Sequence, residues 1–294
     1  MACILSPGIA RLPLLTGIRV VSTALNLPGP VACARLHGMG ATVEKVEPPE
    51  RDPLEQYARD WYRRLHAGMT LHRLDLKTED ARGTMHALLD QADVLITAQR
   101  PAALARIGLD AAAISRHPRL CHVAILGHAP PDEDRPGHDL TYLAVNGLVR
   151  PPRMPPTLFA DIAGGERAAT EALALVVARA RTGRGGSAIV ALADVARDLA
   201  QPLREGLTAP DGLLGGGLAG YNLYATAEGW IALAALEPRF LRHLAEALAI
   251  APLTHEKLAA KFAERTAHEW ERWARANDVP LVAVHSPLQD TKPR

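Results

Sequence analysis

The stretch GIRVVSTALNLPGPVACARLHGMGATVEKVE, Gly17 to Glu47, decides the fold class. Its first part, GIRVVSTA (Gly17 to Ala24), is a short apolar run with β-branched residues, the pattern of a buried strand. Pro28-Gly29-Pro30 then opens a helix, since a first helical turn tolerates proline's missing N–H. Gly38-Met39-Gly40 ends that helix, and ATVEKVE (Ala41 to Glu47) is a second strand. Strand, helix and strand at this spacing form a β-α-β unit, whose two strands lie parallel.

Outward from this unit the alternation continues. A helix is expected around Thr78–Gln91, a strand at Asp93–Thr97, helices near Pro101–Arg106 and Asp110–Arg116, and a strand at Leu120–Leu126. A loop rich in Pro, Asp and Gly follows (Gly127 to Gly137), then a helix from His138 to Val149, and PPRMPP (Pro151 to Pro156) breaks it. Leu158-Phe159-Ala160-Asp161 feeds an Ala/Leu-rich helix, Ala163 to Arg181, that Thr182 to Gly186 closes. The glycine-dense stretch Leu213 to Gly220 could be a mobile lid or a flexible connection. A strand pair (Tyr221 to Leu236) and two helices, Pro238–Ala249 and Thr266–Asn277, complete the chain. The fold class is therefore α/β, with a large parallel-sheet domain over residues 1–189 and a smaller domain over 190–294.

Composition narrows the function. The 294 residues carry a formal net charge of +1 with no long run of either sign, which argues against nucleic acid or an acidic membrane surface as the main partner. Aromatics at 4% are too few for a base-stacking platform. Neither a membrane span of about 20 apolar residues nor a convincing secretory signal is found, so the cytoplasm is the expected location. Cys3, Cys33 and Cys121 are far apart and suit buried or partly buried thiols in a reducing compartment. Asp, Glu and His are scattered without ligand spacing, so no metal site is expected.

Three residues are candidates for chemistry. Asp161 lies at or just before a helix start, where free N–H groups and the dipole favour a carboxylate, although such an aspartate can also simply cap. His138 follows the turn Pro136-Gly137, and an imidazole is the common general base, but the chain has 12 histidines. Glu237 ends the apolar strand Ile231 to Leu236, where it could face a cleft or solvent.

In colinear order these pieces resemble one family. GIRVV, PGP with its helix, GATVEKVEPP, RLDLKTEDAR, ADVLI followed by RP and RIGL, and HPRL are similar to the N-terminal half of class III CoA-transferases, the CaiB/BaiF type. GHDLTYLAVNGL (Gly137 to Leu148) resembles the histidine-bearing segment of its α-methylacyl-CoA racemase branch, and LFADIAGG resembles the catalytic-aspartate segment. YNLYATAEGWIALAALEPRF (Tyr221 to Phe240) is similar to the racemase form of the second domain.

The resemblance implies a Rossmann-like large domain, a smaller α+β domain and a homodimer of two interlocked chains. It implies coenzyme A as part of an acyl-CoA substrate, with no covalently bound cofactor. It makes His138 and Asp161 the two proton-transfer groups and Glu237 the partner that orients the imidazole. Backbone N–H groups near Ile162–Gly164 would stabilise an enolate oxygen. The family pattern has basic residues where this chain has His66-Ala67-Gly68-Met69-Thr70, so Arg73, Arg100 and Arg106, with Arg63 and Arg64, are the expected phosphate-binding groups. The link between His138 and Asp161, 22 residues, is shorter than the family's, and the usual C-terminal return segment is shortened. Three readings stay open: a racemase or epimerase of 2-methyl-branched acyl-CoA thioesters, a CoA-transferase with Asp161 as nucleophile, and a non-catalytic paralogue with weakened CoA binding.

Overall fold

The computed structural model describes residues 13–285. Two compact units divide at Ala200 and Gln201. Cys3 lies outside the described residues.

The first unit is built on six strands, β1 (Arg19–Ser22), β2 (Thr42–Glu47), β3 (Thr70–Arg73), β4 (Val94–Thr97), β5 (Cys121–Leu126) and β6 (Ser187–Ala191). Their order is β3-β2-β1-β4-β5-β6, and every neighbouring pair is parallel. Helices cover both faces, which is why β1 and β4 at the middle of the sheet carry consecutive buried residues rather than a buried-exposed alternation. In β1, Val20 packs with Cys33, Leu36 and Ala168, whereas its neighbour Val21 packs with Met85 and Leu89 of the opposite layer. β4 divides likewise, with Ile96 on the first side and Leu95 on the second. Successive side chains leave opposite faces of a strand, so an unbroken apolar run is what a doubly covered sheet needs.

The expected central strands and the helices Pro28–Gly38, Glu79–Asp90 and Pro101–Arg106 are all present, with shifted ends. The two edge strands went unrecognised in the sequence. β3 is TLHR, largely exposed, and β6 is SAIVA, buried only at its last two residues. An edge strand has a neighbour on one side only and is less fully buried. Because β6 pairs along its length with β5, the boundary expected between residues 189 and 190 falls inside a strand, and the helix Leu192–Leu199 follows within the same unit.

The second unit carries an antiparallel sheet of β7 (Tyr221–Ala225), β8 (Trp230–Ala234) and β9 (Leu281–Ala283). Its helices Pro238–Leu248, His255–Phe262 and Ala267–Ala276 contribute a core centred on Trp270, whose indole N–H donates to the Phe262 carbonyl at 2.8 Å. The glycine run is a tight turn. A Cβ on Gly215 would stand 1.8 Å from the Ala209 carbonyl oxygen, Gly216 has a φ of +113°, and His255 Nε2 lies 2.9 Å from the Gly216 oxygen. These glycines serve close backbone approach and a left-handed bend rather than a slack connection.

Candidate active site

Parallel α/β sheets bind ligands outside the carboxyl ends of their strands, at the point where strand order reverses. Here the reversal lies between β1 and β4. A cavity of about 440 Å³ opens there, lined by Leu25 to Pro28 after β1, Ala98 and Arg100 after β4, and Ile125 to Gly127 at the end of β5. His138 and Asp161 both line it.

Asp161 is carried on the helix Phe159–Thr182, four residues earlier in its start than the sequence pattern implied. It is therefore the third residue of the helix rather than its cap. Leu158 precedes the helix and offers no capping side chain. Instead the Asp139 carboxylate, buried at 4% exposure, accepts the N–H groups of Ala160 at 2.7 Å and Asp161 at 3.1 Å. Asp139 carries no local sequence signal for this role, because its partner N–H groups lie more than twenty residues downstream.

Burial raises the Asp161 carboxyl to about 7, with the Asp139 charge as the second cause. Burial also pushes the Asp139 carboxyl up, while the two N–H groups pull it back. Tyr142 lines the same cavity, and burial, then the Asp161 charge, push its phenol up to about 12. His138 is the exposed residue before the helix Asp139–Val145, and its N–H donates to the Thr141 hydroxyl at 3.0 Å. That helix ends at Val145, not Val149.

The expected enolate donors lie near Ile162–Gly164. The Ile162 N–H is already donated to the Leu158 carbonyl at 3.0 Å, and the N–H groups before it are taken by Asp139. Glu237 is exposed, at the start of the helix Pro238–Leu248 in the second unit. Of the expected phosphate-binding arginines, Arg100 lines the cavity, while Arg73 ends β3 and Arg106 ends the helix Pro101–Arg106. Arg51 and Arg59, which were not singled out, line a second open depression of about 400 Å³ with Glu55 and Gln56.

One cluster has the composition of a metal site: Glu47, Asp52 and His66 offer ligand atoms within 4.8 Å of one another, although nothing in their sequence spacing announced it. The buried Lys45 ammonium occupies their midst, bonded to Asp52 and lying 3.0 Å from His66 Nε2 and 3.4 Å from Glu47. A cation is thus already supplied by the chain. Burial, with Lys45 second, lowers His66 to about 4 and keeps it neutral, so the segment at 66–70 turns its histidine inward rather than towards a phosphate. Asp52 also accepts the Asn26 N–H at 2.9 Å, which ties this cluster to a wall of the cavity.

The family model of CoA-transferase family III matches residues 15–292. The chain belongs to CoA-transferase family III. Among its family relatives, a probable fatty acyl-CoA transferase of Mycobacterium tuberculosis is 28% identical, over 92% of this chain and 82% of the relative. Mouse α-methylacyl-CoA racemase is 28% identical over 87% and 74%, and the succinate–glutarate CoA-transferase of Agrobacterium fabrum is 27% identical over 89% and 73%. A crystal structure of a hypothetical protein from M. tuberculosis superposes with a TM-score of 0.82 at 26% identity, covering 95% of this chain and 87% of that one. A CaiB/BaiF protein from Brucella suis, 23% identical, shares the fold with a TM-score of 0.77 over 92% and 84%. The family thus contains both CoA-transferases and an acyl-CoA racemase, and this chain is an enzyme of that family. Among the described residues no helix is long and apolar enough to cross a membrane.

Proposed function

We propose that this family III enzyme racemises or epimerises 2-methyl-branched acyl-CoA thioesters by exchanging the α-proton. The observation that carries the reading is the shared cavity of His138 and Asp161 at the switch point of the sheet. A thioester α-proton is weakly acidic, and a base is most effective when its pKa lies near the working pH. Asp161, raised to about 7, is available near neutrality both as carboxylate and as acid.

In one direction the neutral His138 imidazole takes the α-proton, the electrons move into an enolate, and the Asp161 acid returns a proton to the opposite face. In the other direction the Asp161 carboxylate takes the proton and the His138 imidazolium returns one. Atoms and charge balance in each, and no acceptor acid is consumed. Leucines at 25, 27, 54, 140, 158 and 192 line the same cavity and suit an acyl chain, while Arg100 supplies a positive charge for the CoA portion. Glu237 as the group that tunes His138, the homodimer, the cytoplasmic location and CoA as part of the substrate belong to this proposal through the resemblance.

A second reading has support in the relatives, several of which are named CoA-transferases. There Asp161 attacks the thioester carbonyl and CoA leaves, so turnover needs an acceptor acid. The two are separated by chiral analysis of a single-enantiomer 2-methylacyl-CoA incubated without any acceptor. Appearance of the other enantiomer supports epimerisation; activity only after a carboxylic acid is added supports transfer.

A further inference from the structure

The site contains a buried charge that the proton-transfer scheme does not use. Asp139 follows His138 directly in sequence, yet its carboxylate Oδ1 accepts the N–H groups of Ala160 and Asp161 at 2.7 and 3.1 Å. One side chain therefore fastens the histidine segment to the aspartate helix, across a connection that is itself only 22 residues long between His138 and Asp161. Leu158 cannot cap this helix, so without Asp139 its first turn has no side-chain acceptor. Asp139 and Asp161 also line one cavity, and like charges that share a partly buried site resist joint ionisation.

We propose that Asp139 is a positioning residue acting through Asp161: its Oδ1 fixes the turn that carries Asp161, and its negative charge stands beside that carboxyl. This rests on the reading of Asp161 as a proton-transfer group. Two separate properties are assigned to one side chain, a hydrogen-bond acceptor that sets place and a charge that sets proton affinity. The second agrees with the rise of Asp161, in which burial comes first and the Asp139 charge next. The other ionisable groups lining the cavity are Tyr57, Arg100, Glu133, Arg135, His138 and Tyr142. Farther along the aspartate helix, Arg35 from the helix Pro28–Gly38 is held by Glu166, and Arg167 is held by Asp198 of the helix Leu192–Leu199. Arg100, in the same lining, acts on the Tyr142 phenol, where it opposes the effect of Asp161.

Substitution separates the two roles. Asp139→Asn keeps an oxygen that can accept both N–H groups and removes the charge, whereas Asp139→Ala removes both. The direct readout is the ¹³C-carboxyl NMR titration of Asp161 in the full chain, assigned by loss of its signal in Asp161→Asn. The expected result is a midpoint that falls by about one pH unit or more in Asp139→Asn. Asp139→Ser, also neutral and able to accept a hydrogen bond, repeats the test should the Asn chain not fold. The pH profile of α-proton exchange should move to lower pH in the same variant, while Asp139→Ala should lose kcat about tenfold or more through misplacement. An Asp161 midpoint equal in wild type and in the neutral variants overturns the proposal. The titration needs no turnover, so a wild type that fails to exchange α-protons counts against the reaction and not against the role of Asp139.

Discussion

The raised carboxyl of Asp161 costs the fold stability. Its carboxyl titrates near 7 in the folded chain, against about 3.9 in an unfolded one, so across this window the folded state holds the extra proton. Stability therefore falls as pH rises from about 4 to about 7 and levels off above. Asp161→Asn lacks that slope. It should be more stable than wild type at pH 8 by up to a few kcal/mol, with the difference vanishing near pH 4, as urea unfolding at the two pH values would show. Two histidines act with the opposite slope. Burial lowers His66 and His122 to about 4, whereas each binds a proton near 6.5 when unfolded. Their contribution is complete above pH 6.5 and is lost as pH falls towards 4, by up to about 3 kcal/mol each. Thermal unfolding of His122→Asn should accordingly depend less on pH between 6.5 and 4 than that of wild type.

Among the elements, the helix Phe159–Thr182 does most to place the site. Gly165 lets it lie against the helix Pro28–Gly38: a Cβ there would stand 2.6 Å from the Pro28 carbonyl oxygen and 2.7 Å from Val31 Cβ. Backbone cannot yield as a side-chain tip can, so Gly165→Ala should cost about 1–3 kcal/mol and move Asp161, lowering both Tm and exchange rate. Unchanged Tm and rate would show that the two helices have slack. The sequence announced this helix through its Ala/Leu composition and the LFADIAGG match, but not its start, because the cap comes from Asp139 in a different segment. β1, β4 and β5 were legible from their short apolar runs, since both faces are covered. β3 and β6 were not, because one open edge permits the exposed TLHR, and SAIVA runs directly into the helix at Leu192. Helix starts held by remote side chains and strands defined by a single neighbour are tertiary facts with little local imprint.

For the whole molecule, the first unit explains why candidates far apart in sequence share a cavity. Loops from β1, β4 and β5 all emerge at the carboxyl edge, and the reversal of strand order leaves a crevice between them. Arg100 reaches that crevice from β4, while Arg73 and Arg106 do not line it. Arg100→Ala should weaken acyl-CoA binding about tenfold, close to 1.4 kcal/mol, whereas Arg73→Ala and Arg106→Ala leave it unchanged by calorimetry. Equal weakening by all three would place the phosphates elsewhere. In the proposed reaction His138 and Asp161 serve opposite faces of one α-carbon. Its most direct test is incubation of single-enantiomer 2-methylacyl-CoA esters in deuterium oxide without acceptor acid. The expected product is the opposite enantiomer carrying α-deuterium, formed by wild type and by neither His138→Ala nor Asp161→Asn. No inverted, deuterated product from wild type across the panel, or its persistence in both variants, would contradict it.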